Sequence, residues 1–523
     1  MLAKIYSGAV LGIDAFQIDV EVDLALGFSA FHLVGLPDSA VRESRLRIQS
    51  AMENLALDFP RGRRVTVNLA PASIRKDGTA LDLPIALAVM AAQGDIAVKG
   101  ALNLHDYLIV GELALDGNVR RVRGALSLAV LAREKGLSGV IVPADNAAEA
   151  GVVQGIDVIA IDHLRPLIAA LQGKGGLDAL RHHQRPIDPR ATATDIDFDQ
   201  VAGQAPVKRA LEVAAAGGHN LLMVGPPGSG KSMLARRIPT ILPPMNFEEA
   251  LETTRIYSVT GQLGEQGLLQ TRPFRAPHHT ISDVGLAGGG AGIPRPGELS
   301  LAHNGVLFLD EVPEFRRSAL EVLRQPLENG EVTLTRSMLS VTYPADLMLV
   351  AAMNPCRCGH FGDPDGRCRC SADEVRRYRG RLSGPLLDRI DLHVQVPAVP
   401  YAEIRRARRG ESSQAVRERV IAARDRQTHR FRDIKSHTNS QMGPDQLRAF
   451  CPLEDRGHHM LEAAVERFGL SARSCDRILK VARTIADLGG VEHLSTEHLA
   501  EAIQYRTLLD DRCLQPSSRA ASG

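Results

Sequence analysis

One octapeptide constrains this chain more than any other stretch. Gly225-Pro226-Pro227-Gly228-Ser229-Gly230-Lys231-Ser232 fits the phosphate-binding pattern G-x-x-x-x-G-K-[S/T]. Residues 221–224 form an apolar run of strand length, and 233–238 begin a helix that Pro239 is expected to stop. A strand that turns through glycines into a helix can close backbone N–H groups around phosphate oxygens, at the partly positive end of that helix. Lys231 is placed to reach the β- and γ-phosphates of a nucleotide, and Ser232 to ligate its Mg²⁺. The expectation is an α/β core behind the loop, with ATP and Mg²⁺ as cofactors.

Groups for hydrolysis follow downstream. Residues 305–309 are apolar and end in Asp310-Glu311, about eighty residues after the loop. Asp310 can hold Mg²⁺ through water, while Glu311 polarises the attacking water. Residues 347–353 read as another buried strand, which ends at Asn354. Ser383-Gly384-Pro385-Leu386-Leu387-Asp388-Arg389-Ile390-Asp391 comes next, and Arg473 opens a helix near the end. By position, Asn354 is similar to the first sensor of AAA+ ATPases and Arg473 resembles the second. Arg389 falls on the L-L-x-R-[F/I]-D motif of magnesium-chelatase and replicative-helicase ATPases, whose arginine reaches a neighbouring subunit's ATP. Pairing of Arg389 with Asp388 or Asp391 is the alternative.

The interval from the loop to Asp310 is long, and it holds Arg272-Pro273-Phe274-Arg275-Ala276-Pro277-His278-His279-Thr280 and Gly288-Gly289-Gly290. The resemblance implies an insertion here that projects toward the pore of a ring. Residues 331–343 read as a hairpin with its turn near Arg336-Ser337, where the same family carries a pore hairpin. His278-His279 is expected to be a structural loop, since no third metal ligand is evident.

Cys356-x-Cys358, nine residues, then Cys368-x-Cys370 can supply four thiolates to a tetrahedral Zn²⁺. Free thiols or a redox pair are the alternatives, because the spacing is C-x-C rather than C-x-x-C. Residues 401–432 are helix-like and rich in arginine. They suit either phosphate contacts or a solvated linking helix with ion pairs. Residues 444–509 show three amphipathic helices, the pattern of a small helical lid.

The first 172 residues carry alternating strand patterns and apolar helices, an α/β domain with its own core. Lys76-Asp77-Gly78-Thr79-Ala80 and Gly111-Glu112-Leu113-Ala114-Leu115-Asp116-Gly117 resemble the proteolytic domain of Lon-type proteases. The positions of that family's serine and lysine fall on Ala80 and Leu126, which can neither attack a carbonyl nor take a proton. A protease-inactive scaffold is expected.

The plan is therefore a degenerate Lon-like domain (1–172), a linker (173–197) and an AAA+ core (198–396). A linking helix (397–440), a helical lid (441–510) and a disordered tail (511–523) complete it. Phosphate loop, Asp-Glu, Asn354, Arg389 and the cysteine quartet together resemble, in order, the ComM/YifB group of magnesium-chelatase-like AAA+ proteins. The resemblance implies a homohexameric helicase that hydrolyses ATP and moves single-stranded or branched DNA in natural transformation, alongside recombination proteins. A protein-remodelling or metal-insertion motor is the rival reading, and a scaffold that uses ATP only to assemble is a third. A net charge of +1 in 523 residues means that any nucleic-acid contact must be a local patch. Seven cysteines, four of them clustered, and no apolar run near ~20 residues make the cytoplasm the expected location, with no membrane partner.

Overall fold

The computed structural model describes residues 2–74, 76, 78–182, 196–264, 267–290, 292–336, 339–363, 365–399, 405, 410–432 and 436–507. Most of the expected linker with His183, the hairpin turn at Ser337, Arg406, Arg408, Arg409 and the tail lie outside the described residues. Among the described residues no helix is long and apolar enough to cross a membrane.

Seven strands open the chain: β1 (Leu2–Leu11), β2 (Asp14–Leu26), β3 (Ala30–Val34), β4 (Arg63–Ala70), β5 (Tyr107–Ile109), β6 (Gly139–Pro143) and β7 (Asp157–Ile161). They form one mixed sheet in the order β3-β4-β2-β1-β5-β6-β7. Helix α1 (Asp82–Gln93) is apolar on nearly every side and buried from Asp82 to Ala92, as a helix enclosed between sheet and neighbouring helix must be. Between Ser39 and Asn54 the chain forms two helices with a break between them, Ser39–Arg42 and Ser44–Asn54. Arg47 stabilises that break: its guanidinium bonds Ala40 O at 2.9 Å and the buried Asp82 carboxylate at 2.6 Å.

A second sheet is wholly parallel. Its strands are β8 (Leu221–Val224), β9 (Phe274–Arg275), β10 (Val306–Leu309), β13 (Met348–Met353) and β14 (Leu392–Gln395), in the order β9-β10-β13-β8-β14. The hairpin strands β11 (Glu331–Arg336) and β12 (Leu339–Pro344) stand apart from it. Strand β13 is inserted between β8 and β10, so three successive C-terminal strand ends share one edge: the phosphate loop, Asn354, and Asp310-Glu311. All six residues of β13 are buried, which is why the sequence shows an unbroken apolar run there instead of alternation. Pro239 does not end the helix after the loop as expected. Lys231–Ala235 stops four residues before it, and Pro239 sits in the first turn of a new short helix, Ile238–Ile241, where its missing N–H costs nothing.

The C-terminal helices share the core of this sheet. Ser413–Arg430 turns Val416, Val420 and Ala423 inward against the helix Ala205–Gly217. Several of its arginines are engaged structurally: Arg419 pairs with Glu212, Arg424 donates to Ala215 O, and Arg430 holds Asp487. The ion-pair reading of this stretch therefore fits better than a phosphate-binding stripe. Four helices follow where three were expected, the additional one being Pro444–Phe450. A buried polar network fastens them. Asp487, fully buried, accepts from Arg430, Arg483 and Asn439, and Thr484 bonds His219. Removing that carboxylate would strand buried donors at a cost of about 3–5 kcal/mol.

The two sheets are tied by the helix Phe247–Thr260, which packs on α2 (Ala125–Glu134) of the first domain. Buried Glu149 accepts from Ser258 Oγ and Asn146 Nδ2, and Arg255 bonds Asp14 and Ile13 O at 2.8 Å each.

Candidate nucleotide site

Gly225 leaves β8 so close to the end of the sheet that a β-carbon there would stand 2.2 Å from Val396 O. Only glycine allows that approach, and it lets the loop turn over the strand ends. Gly228 and Gly230 take left-handed φ values of +75° and +89°, which turns successive N–H groups into one concavity. Lys231 Nζ donates to Gly225 O (2.8 Å), Pro226 O (2.9 Å) and Asn354 Oδ1 (3.2 Å). Burial lowers its pKa, and the carboxylates of Asp310 and Glu311 pull it back up. Ser232 Oγ donates to Asp310 Oδ2 at 2.6 Å, so the hydroxyl and carboxylate expected around one Mg²⁺ are already adjacent. Asp310 Oδ1 accepts the N–H of Glu311, whose own backbone is left-handed (φ +50°) and whose carboxylate is exposed.

The structure thus brings Lys231, Ser232, Asp310, Glu311 and Asn354 to one edge. It places Arg389 and Arg473 elsewhere. Arg389 donates to Glu328 Oε2 (2.6 Å) and Pro385 O (2.8 Å), and neither Asp388 nor Asp391 pairs with it. Asp391 is instead buried between Arg477 and His219, and Asp388 faces Arg506. Arg473 is exposed; the Glu328 carboxyl is held below its usual pKa chiefly by the Arg389 hydrogen bond, with the Arg473 and Arg477 charges adding less. Among the described residues neither Arg389 nor Arg473 touches the phosphate loop of its own chain.

Sequence reasoning missed three participants. Gln204, at φ +55°, donates from Nε2 to Ser229 O (2.8 Å) and Pro397 O (3.1 Å), bracing the loop from the side. Asn220 accepts from Leu349 N and donates to Arg389 O, linking β8, β13 and the arginine segment. His279 stands with Nδ1 3.9 Å from Glu311 Oε2, so the His-His loop borders the carboxylate pair. No periodicity marks these residues; the Gly203-Gln204 pair ahead of a helix and the His278-His279 pair, read above as a structural loop, were the local signals.

The thiols of Cys356, Cys358, Cys368 and Cys370 lie within 4.8 Å of one another, and three of the separations are 3.3–3.8 Å. A tetrahedral metal with about 2.3 Å bonds to sulfur needs sulfurs about 3.8 Å apart. The cluster can hold such a metal. Burial raises the Cys356 thiol, while the Arg369 backbone N–H brings Cys358 down to about 6. In the first domain Leu126 is buried and Ala80 half-buried, and Thr79 Oγ1 donates to Glu112.

A parallel sheet with the phosphate loop and the acid pair separated by one strand, followed by a helical unit, defines an AAA+ type of nucleotide-binding protein. Family profiles agree along the chain. "Magnesium chelatase, subunit ChlI" covers residues 197–404, "Subunit ChlI of Mg-chelatase" covers 20–146, and "Magnesium chelatase, subunit ChlI C-terminal" covers 410–506. An uncharacterized protein YifB of Escherichia coli K12 is 44% identical over 514 residues, 98% of each chain. The competence protein ComM of Haemophilus influenzae is 42% identical over 520 residues, 99% of each chain. Lon protease 2 of Bacillus subtilis is 29% identical over 150 residues, 27% of each chain. The chain belongs to the ComM/YifB group of magnesium-chelatase-like AAA+ proteins.

Proposed function

We propose that this chain is an ATP-driven DNA motor of the ComM type: a cytoplasmic homohexamer that promotes branch migration during natural transformation. The observation that carries the reading is the convergence of Lys231, Ser232, Asp310, Glu311 and Asn354 on one sheet edge, in a chain alike to ComM over nearly its whole length. In this reading Gly225 to Ser232 wrap the phosphates of ATP, Ser232 and Asp310 hold Mg²⁺, Glu311 polarises water, and Asn354 senses the γ-phosphate. Arg389 serves the site of the adjoining subunit, which fits its place away from its own loop, and Arg473 acts as the second sensor. The cysteine quartet holds Zn²⁺. The domain boundaries of the sequence plan serve as the working division of the chain.

Support for DNA comes from the relative's name and from exposed Arg336 at the end of β11, on a hairpin that stands off the main sheet. The profile names favour a second reading, a chelatase-like motor. Phosphate release measured with single-stranded DNA, forked DNA, porphyrin and unfolded protein separates them. DNA alone should raise turnover, and forked DNA should be unwound. Turnover unmoved by any DNA would overturn the proposal.

A further inference from the structure

The four-cysteine loop touches the nucleotide loop. Cys356 lies two residues beyond Asn354, whose Oδ1 accepts from Lys231. Gly359 turns back with φ +84°, its N–H on Cys356 O at 3.0 Å, and packs on the phosphate loop itself. A β-carbon on Gly359 would stand 2.6 Å from Pro227 Cδ. From the other side Arg379 donates to Pro355 O at 3.1 Å and lies over the Phe361 ring, 5.1 Å from its centre.

The segment's own contacts are short-range: Asp363 accepts from Arg367 and from Asp365 N, and Gly366 N bonds Asp363 O at 3.1 Å. Among the described residues of 356–370 only Cys356 and Gly359 are buried. So small an apolar contribution does not fix a loop, whereas a metal on four thiolates does. We propose that the metal held by Cys356, Cys358, Cys368 and Cys370 braces the phosphate loop through Gly359 and Pro227, so that nucleotide affinity depends on metal occupancy. This rests on the zinc reading above.

The test uses the full chain purified without added metal. Zinc is counted by dye release, and a fluorescent ATP analogue is titrated into the loaded protein, the chelator-stripped protein and the stripped protein given Zn²⁺ again. About one zinc per chain is expected. Stripping should raise the Kd about tenfold or more, and Zn²⁺ should restore it. Gly359→Ala keeps all four thiols but must move the turn off Pro227, so it should retain its zinc and still bind the analogue several-fold more weakly. If chelation unfolds the protein by circular dichroism, this variant decides alone. Unchanged affinity in folded, stripped protein, or in zinc-loaded Gly359→Ala, overturns the brace and leaves the zinc site standing. Protein that arrives with four titratable thiols, no zinc and tight nucleotide binding overturns both.

Discussion

His393→Leu should remove a pH sensitivity from the interior of the nucleotide-binding half. His393 lies on β14, 4% exposed, and among the described residues neither ring nitrogen has a hydrogen-bond partner. Burial is the largest cause that pushes its pKa down to about 3; Arg506 and Arg477 add to this and Asp391 opposes. An unfolded histidine titrates near 6.5. Between those values the unfolded chain binds the extra proton, so stability rises with pH and is lost as pH falls from about 6.5 toward 3. From pH 7 to pH 5 the loss from this one group is about 2 kcal/mol, at 1.36 kcal/mol per pH unit below the unfolded pKa. Leucine fills a similar volume and carries no proton, and no hydrogen bond is given up. Urea unfolding at pH 7 and pH 5 should show the wild type losing about 2 kcal/mol more than His393→Leu. His219 and Asp391 are common to both chains, so their contributions cancel in the difference. Equal losses in the two proteins would refute the reasoning, because His393 would then be taking its proton without unfolding.

Four further expectations concern the motor. Lys231→Ala should weaken ATP-analogue binding at least about tenfold, since a charge-assisted bond to phosphate contributes about 1.5–3 kcal/mol. Glu311→Gln should bind nearly as wild type while turnover collapses; a parallel loss of binding in both would show that Glu311 has another role. Arg389→Ala and Lys231→Ala chains, each inactive alone, should regain ATPase activity when co-assembled, because some interfaces then join an intact loop to an intact arginine. Proven mixed rings without activity would count against a role across subunits. Arg336→Ala should keep basal turnover and lose DNA-stimulated turnover and fork unwinding, and unwinding at the wild-type rate would show that the hairpin is not the grip.

Much of the site was legible because its parts are local. A phosphate loop is eight consecutive residues, an acid pair ends one apolar strand, and Asn354 ends another; each announces itself within a short window. Buried parallel strands also read clearly, since enclosure on both faces leaves an unbroken apolar run. The four cysteines stood out by their spacing, which left a metal, free thiols or a redox pair open. What the sequence did not determine was which strand ends are neighbours. The insertion of β13 between β8 and β10 sets Asn354 against Lys231, 123 residues earlier, and that placement comes from packing the whole sheet. The fate of charged groups was equally invisible. Arg389 found Glu328 rather than the aspartates beside it, and the arginines of 413–430 found Glu212, Ala215 O and Asp487. A side chain's charge is written in the sequence, but its partner is whatever tertiary packing leaves within reach once water is excluded. The contact of Gly359 with Pro227 is of the same kind, for a close approach of two loops has no periodicity and leaves only a glycine as its trace.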